Sequence, residues 1–322
     1  MGLIFPVMHR PSYLSLLKSG ELARRADEAM ALLSSCTVCP RNCRVDRTRG
    51  ERGYCGGGLL PEVANYGSHF GEEPPLVGRH GSGTIFLSGC NMRCVFCQNY
   101  AISRHMQADE VSCDDLAGKM LSLQERRCHN INFVTPSHFV PQILKAAAIA
   151  AKKGLSIPLV YNTGTYDTVD TLRILDGVFD IYMPDAKYGH EENARALSDA
   201  PGYVAAMQEA ITEMQRQAGD LVIENGIAVR GLIIRHLVLP GNLAGSEEVM
   251  RFIGERVSKN AYVNLMDQYR YNRSTECRDC IAMNPRFGPL VRSITEDEYR
   301  RALSSARKFG LHRGFPGGDD ER

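Results

Sequence analysis

The segment Cys90-Asn-Met-Arg-Cys94-Val-Phe-Cys97 puts three thiols at C-x₃-C-x₂-C spacing on one short loop. Three thiolates so placed can ligate three corners of a cubane iron–sulfur cluster and leave the fourth iron open. The four cysteines of an electron-carrier ferredoxin close every corner instead. An open iron can take a further molecule, by the logic of the open position on a catalytic zinc. The same three thiols with a distant fourth ligand would make a structural zinc site.

A second group, Cys36-x₂-Cys39-x₃-Cys43-x₁₁-Cys55, is a dense four-ligand set. It lies in a stretch, 36–83, that is rich in Gly, Cys, Pro and Arg and has little sustained periodicity. Turn-forming runs punctuate that stretch at GYCGGG (53–58) and GRHGSGT (78–84). Four thiolates suit either a structural zinc or a closed iron–sulfur cluster, and spacing alone does not choose between them. A metal there would fold residues 36–60 in the zinc case, and could relay electrons or face a substrate in the iron–sulfur case. Cys277-x₂-Cys280, in NRSTECRDCIAMNP, is an incomplete set and reads as a surface loop or a redox-labile pair. Cys113 and Cys128 stand alone and read as small apolar packing residues.

The elements that would position these loops begin near residue 84. Short apolar runs read as strands at TIFLSG (84–89), NINFVTP (130–136), PLVYNTG (158–164), DIYMPDA (180–186), LIIRHLVLP (232–240) and AYVNLMDQY (261–269). Helical patterns fall between them at 114–126, 139–153, 167–176, 203–218 and 246–257, with another at 295–309. Apolar strands alternating with helices predict an α/β fold with a parallel sheet covered by helices. Six such units predict a partial (β/α)6 barrel, short of a closed eight-stranded one. Asn225-Gly226 within 220–231 predicts a small hairpin. Residues 1–83 are read as a helical lead-in and the small N-terminal Cys-rich metal-binding module, 84–310 as the barrel and 311–322 as a tail.

Ligands collect at the C-terminal ends of parallel strands. The polar groups expected there are the Cys90–Cys97 loop, Thr135 to His138, Asn162, Thr163, Asp185, Lys187 and Tyr269, with Arg235 within reach from the fifth strand. His138 and Tyr269 are strand-end candidates for meeting a substrate.

Composition narrows the partners. The chain has 322 residues, 43% hydrophobic and 23% charged, with a formal net charge of +1. That balance gives no polyanion-binding surface, so neither nucleic acid nor an anionic membrane is an expected partner. No apolar run approaches the roughly 18–20 residues that span a bilayer, and Pro6, His9 and Arg10 interrupt the opening too early for a signal peptide. A cytoplasmic location is expected, where clustered thiols among eleven cysteines are better read as metal ligands than as disulfides.

GCNMRCVFCQN resembles the signature loop of the radical S-adenosylmethionine (SAM) superfamily, with the aromatic Phe96 just before the third cysteine. CPRNC, GEEPP, VTPSHFVPQIL, PLVYNTGTY, IYMPDAKY and RHLVLPG extend the resemblance to the pyruvate formate-lyase activating-enzyme-like branch, here with an extra N-terminal cysteine module. The resemblance implies that Cys90, Cys94 and Cys97 hold a [4Fe–4S] cluster whose open iron binds SAM. Reductive cleavage would then give a 5′-deoxyadenosyl radical that abstracts hydrogen, the cofactor carrying the chemistry and the protein orienting it. It implies further that Phe96 packs against adenine and that Thr135-Pro136-Ser137 stands where relatives hold the methionyl amino group. Asn162, Thr163, Asp185 and Lys187 would face SAM, and Arg235 would grip its carboxylate. A reductant such as flavodoxin or ferredoxin is implied as partner.

Three functions compete on these residues. The first activates a partner enzyme by taking hydrogen from a backbone glycine. The second applies the same radical chemistry to a small molecule or a peptide. The third is a non-enzymatic iron–sulfur or zinc protein, against which the open iron of the triad argues.

Overall fold

The computed structural model describes residues 10–104, 108–270 and 285–321. Its strands are β1 (Glu62–His69), β2 (Ser82–Leu87), β3 (Asp109–Glu110), β4 (Ile131–Val134), β5 (Leu159–Thr163), β6 (Ile181–Pro184), β7 (Val222–Glu224), β8 (Ile227–Leu237) and β9 (Tyr262–Met266). α1 (Tyr13–Ser19), α2 (Glu21–Ala31) and α3 (Pro74–Val77) precede the parallel sheet's first crossover, and α4 (Tyr100–Arg104) opens it between β2 and β3. The crossovers themselves carry α5 (Cys113–Glu125), α6 (Val140–Lys152), α7 (Val169–Ile174), α8 (Glu191–Ser198), α9 (Tyr203–Ala218) and α10 (Ser246–Phe252), and α11 (Glu296–Lys308) follows β9.

β2, β4, β5, β6, β8 and β9 run parallel in that order, each joined to the next through helices. Wholly buried runs such as INFV and LVYNT leave no solvent face, so helices must cover them. Among the described residues β9 pairs with no strand other than β8 and makes only an isolated bridge to Arg313, so the sheet curls without closing. This is the partial six-unit barrel expected. The Asn225-Gly226 turn has positive φ at both positions, 52° and 80°, as a two-residue hairpin turn requires. Its second arm runs on without a break as β8.

Several elements went unread in the sequence, among them α3, α4 and β3. β1, with the exposed alternation of EVANYGSH, adds antiparallel to β2, and the short α8 precedes α9. Residues before 84 thus supply a strand that extends the sheet between β2 and β3, and α1 and α2 pack on α6 outside the sheet.

Strand alternation explains the interior. Two residues below Asn162, Asp185, Arg235 and Asn264, on the same face, stand Val160, Met183, Ile233 and Tyr262. These four join Leu76 of α3 in an apolar plug separate from the core under the helices. α3 lies between β1 and β2 in the chain yet packs on β8, and Asn130, just before β4, donates from Nδ2 to the Leu76 carbonyl at 2.9 Å, so this short segment lies under the N-terminal ends of the strands. The plug fills the lower barrel and leaves the polar rim facing a cavity.

Candidate active site

A cavity of about 520 Å³ opens at the C-terminal ends of the parallel strands, within the range of small-molecule and cofactor sites. Cys90, Cys94 and Cys97 line it together with Phe96. The loop that carries them is pinned from two sides. Arg93 and Val95 donate their backbone N–H groups to Ser198 and Leu197 at the end of α8, at 2.8 and 2.9 Å, and Cys90 N–H donates to the Cys55 carbonyl. Each sulfur has a polar neighbour: Ser198 Oγ donates to Cys94 Sγ at 3.0 Å, Met92 N–H to Cys90 Sγ at 3.4 Å, and Ser103 Oγ stands 3.4 Å from Cys97 Sγ. Outer hydrogen bonds of this kind orient and tune metal-bound thiolates.

Among the described residues no three His, Cys, Asp or Glu side chains stand in a closed ligating array as oriented. The donor chemistry nonetheless fits an iron–sulfur cluster. Burial pushes the Cys90 thiol up to about 12, with the neighbouring Cys94 adding to the rise. Burial also raises Cys94 against the pull of Lys187. Thiols so placed ionise readily only with a cation beside them, and metal binding would release their protons.

Across the cavity the interior polar face is a charged network. Arg235 donates from Nε to Asp185 Oδ1 and from Nη2 to Asn162 Oδ1, both at 2.7 Å, while Nη1 lies 3.7 Å from Glu73 Oε1. Lys187 Nζ donates to Asp185 Oδ2 at 2.6 Å. Burial pushes the Asp185 carboxyl up, but Arg235 and Lys187 outweigh it and hold the group below its ordinary value. Lys187 is held above its ordinary value, where Asp185 and then Cys94 overcome the effect of burial. The lysine ammonium therefore stands between a carboxylate and the triad.

Glu72 and Glu73, from the segment leading into α3, complete the wall. Asn264 Nδ2 donates to Glu73 Oε1 at 3.1 Å, and Glu73 Oε2 is buried with no hydrogen-bond partner. Burial pushes the Glu72 carboxyl up against the pull of Arg235. No role attached to either glutamate in the sequence beyond their place in GEEPP.

Of the expected site residues, the triad, Phe96, Asn162, Thr163, Asp185, Lys187 and Arg235 all line this cavity, as does Thr135. Ser137, His138 and Tyr269 do not. Ser137 is buried behind the rim, its Oγ 3.0 Å from Thr163 Oγ1, so it supports Thr163. His138 is fully buried under the triad loop and donates from Nε2 to the Ser88 carbonyl at 2.7 Å. The Tyr269 hydroxyl donates to the Leu290 carbonyl at 2.6 Å, and its ring stands edge-on to Phe96, 6.3 Å between centroids. These three reach the cavity through a neighbour rather than directly. Arg235 lines the cavity with its buried charge matched by Asp185 and its Nε and Nη2 engaged.

Cys36, Cys39 and Cys55 are buried and Cys43 is half-buried. Cys36 faces Cys43 and Cys55, and Cys39 faces Cys55 and Cys36. Arg41 Nε donates to the Asn91 carbonyl at 2.9 Å, and Arg93 donates to the Tyr54 carbonyl, so this segment is stitched to the triad loop. Cys113 is half-buried and Cys128 packs in the core. Cys277 and Cys280 lie outside the described residues.

Residues 84–253, just over half of the chain, match the family model of the radical SAM superfamily. Two uncharacterized proteins of Methanocaldococcus jannaschii are similar in sequence. One is 30% identical over 92% of this chain and 82% of its own length, the other 26% identical over 50% and 46%. A radical SAM methyltransferase from Sphaerobacter thermophilus is similar in structure, with a TM-score of 0.48 and 14% identity over 71% of this chain and 64% of its own. So is anSMEcpe with bound AdoMet, at a TM-score of 0.46 and 13% identity over 74% and 59%. With its signature loop on the cavity rim and the family match running from β2 through β8, the chain belongs to the radical SAM superfamily.

Proposed function

We propose that this chain is an enzyme that cleaves SAM reductively in the 520 Å³ cavity and uses the product to abstract hydrogen from a substrate. One observation carries the reading: the three thiols of the signature loop and the charged inner face of the barrel meet at one cavity. The bound [4Fe–4S] cluster and SAM supply the electron transfer and the 5′-deoxyadenosyl radical. Cys90, Cys94 and Cys97 hold the cluster, and Ser198 and the Met92 N–H orient two of their sulfurs. Phe96 offers a ring face to adenine. Lys187, between Asp185 and Cys94, presents the cationic donor beside the cluster, while Asn162 and Arg235 form a fixed polar floor. The four N-terminal cysteines hold a second metal, and a one-electron donor such as flavodoxin or ferredoxin supplies the electron. We place this activity in the cytoplasm; among the described residues no helix is long and apolar enough to cross a membrane.

The resemblance to pyruvate formate-lyase activating enzymes favours a backbone glycine of a partner enzyme as hydrogen donor. The buried Glu73 Oε2, which has no hydrogen-bond partner at the cavity wall, favours a second substrate, a small molecule or peptide bearing a cationic group. After anaerobic reconstitution, formation of 5′-deoxyadenosine from SAM tests the activity. Cys94→Ala should abolish it while circular dichroism stays unchanged, and undiminished product from that variant would sink the reading. Deuterium transfer from labelled substrates into 5′-deoxyadenosine then separates the glycine from the cationic small molecule.

A further inference from the structure

Arg47 is the largest side chain fully buried in the described structure, at 1% exposure. A guanidinium cannot shed its proton in a protein, so this is a buried positive charge, among the most costly features a fold can carry unless it is matched. Among the described residues no carboxylate forms an ion pair with it: Asp46 and Glu62 pair with Arg49 and Arg52, and Glu51 accepts from the Asp46 backbone N–H. One Nη donates to the His138 carbonyl at 2.7 Å, the other reaches Cys55 Sγ at 3.4 Å, and Nε is buried with no partner. The backbone N–H of Gly57 reaches the same sulfur, also at 3.4 Å. The guanidinium is therefore aimed at the four-cysteine group, and four neutral thiols would leave its charge unanswered.

We infer that Arg47 is the buried counter-charge of an anionic metal–thiolate centre on Cys36, Cys39, Cys43 and Cys55, an inference that rests on the reading of these cysteines as a second metal site. Four thiolates on Zn²⁺, or around a [4Fe–4S] core in its 2+ state, carry a net charge of about −2. Such a centre answers the guanidinium and gives Nε and Nη2 sulfur acceptors. Metal and arginine then stabilise one another, and each is a liability without the other. The His138 carbonyl held by Arg47 and the Cys55 carbonyl held by Cys90 join this centre to the floor and the near edge of the triad loop.

The test uses the full chain carrying Cys90→Ser, Cys94→Ser and Cys97→Ser, so that only N-terminal metal is counted. Zinc, iron and acid-labile sulfide per chain identify the occupant. The inference expects Arg47→Met to lose that metal to a chelator at least tenfold faster, and Arg47→Lys to fall between. It also expects the order of thermal midpoints to invert. With metal bound the parent melts above Arg47→Met; stripped of metal it melts below, because the bare cation remains. A residue that merely packs would give the higher midpoint to the parent in both states. Equal metal retention, or no inversion, overturns the inference while leaving the metal site standing. A parent that holds neither zinc nor iron overturns the metal reading itself. Arg47→Gln, which keeps a donor to the His138 carbonyl, serves the same comparison if the methionine variant does not fold.

Discussion

The backbone N–H of Cys90 donates to the carbonyl of Cys55 across 3.3 Å, joining the two cysteine groups without a side chain between them. The approach is close because residue 89 is glycine. Gly89 has φ +78°, and a Cβ there would collide with the Cys55 carbonyl. Both the backbone conformation and the contact exclude a side chain. Gly89→Ala should lower stability by about 1–3 kcal/mol and reduce iron bound per chain after reconstitution. Calorimetric melting beside iron analysis checks it, and an unchanged melting temperature would show that the two loops can part without cost.

Asp185 and Arg235 are the central ion pair of the cavity floor, both largely withdrawn from water. Removing one partner of a buried pair costs about 3–5 kcal/mol, because the other charge is left behind. Arg235→Leu leaves Asp185 with Lys187, so its cost should fall at the low end of that range. Asp185→Asn leaves two cations facing each other and should cost more. In the double variant the losses should not add, and a denaturant-unfolding cycle measures the coupling. Additive losses would mean that the pair is carried by its other partners. Since Asp185 is held below its ordinary carboxylate value, its contribution is present above the unfolded value of about 4. It is lost as pH falls below that towards the folded value.

Two fully buried histidines predict an earlier acid effect. Burial holds His138 at about 3 and His236 at about 4. His236 donates from Nδ1 to the Ala186 carbonyl at 2.6 Å, and its Nε2 stands 2.9 Å from Ser246 Oγ, so both nitrogens of the neutral ring are satisfied and burial disfavours the cation. A base whose folded value lies below the unfolded one, about 6.5, costs nothing above that pH. Below it the unfolded state binds the proton and the folded state does not. Each histidine should therefore remove about 1.4 kcal/mol of stability per pH unit as pH falls from 6.5 towards its folded value. Denaturant unfolding between pH 7.5 and 4.5 measures the slope. A flat profile across that window would mean that the rings gain a proton in place.

The barrel and the triad were legible in the sequence for a simple reason. Strands buried on both faces must be apolar throughout, so a polar residue inside one, such as Asn162 or Arg235, stands out and marks the inner face at the rim. β1 was not legible: its outer face is solvent, and EVANYGSH has the composition of a loop. Ser198 had no signal, because its bond to Cys94 joins residues far apart in sequence. Glu72 and Glu73 look like a solvated acidic turn until the segment leading into α3 is seen to line the cavity. Arg47 sits in a basic, glycine-rich stretch where every arginine looks exposed, and only packing distinguishes it from Arg49. Ser137, His138 and Tyr269 were placed at the correct strand ends, but strand position does not say whether a side chain faces the cavity or the layer behind it.

Ser198 offers the sharpest test of the cluster site, because its hydroxyl touches a proposed ligand without being one. Its Oγ donates to Cys94 Sγ at 3.0 Å and stands 2.6 Å from the hydroxyl of the buried Tyr188. A hydrogen bond to a cluster thiolate favours the reduced, more negative state over the oxidised one. Ser198→Ala should therefore lower the midpoint potential of the triad cluster. If the bond favours the reduced state by about 1.4 kcal/mol, the shift is on the order of 60 mV for one electron. It should also leave the Tyr188 hydroxyl short of a partner, at about 1–3 kcal/mol of stability. Tyr188→Phe in the same background removes that second effect and leaves the first, so the two are separable. An electron-paramagnetic-resonance redox titration reads the potential and a denaturant titration reads the stability. A potential unchanged within error in both variants, with stability reduced only in Ser198→Ala, would mean that the Ser198 hydroxyl serves Tyr188 and that Cys94 is not a ligand of the redox-active cluster.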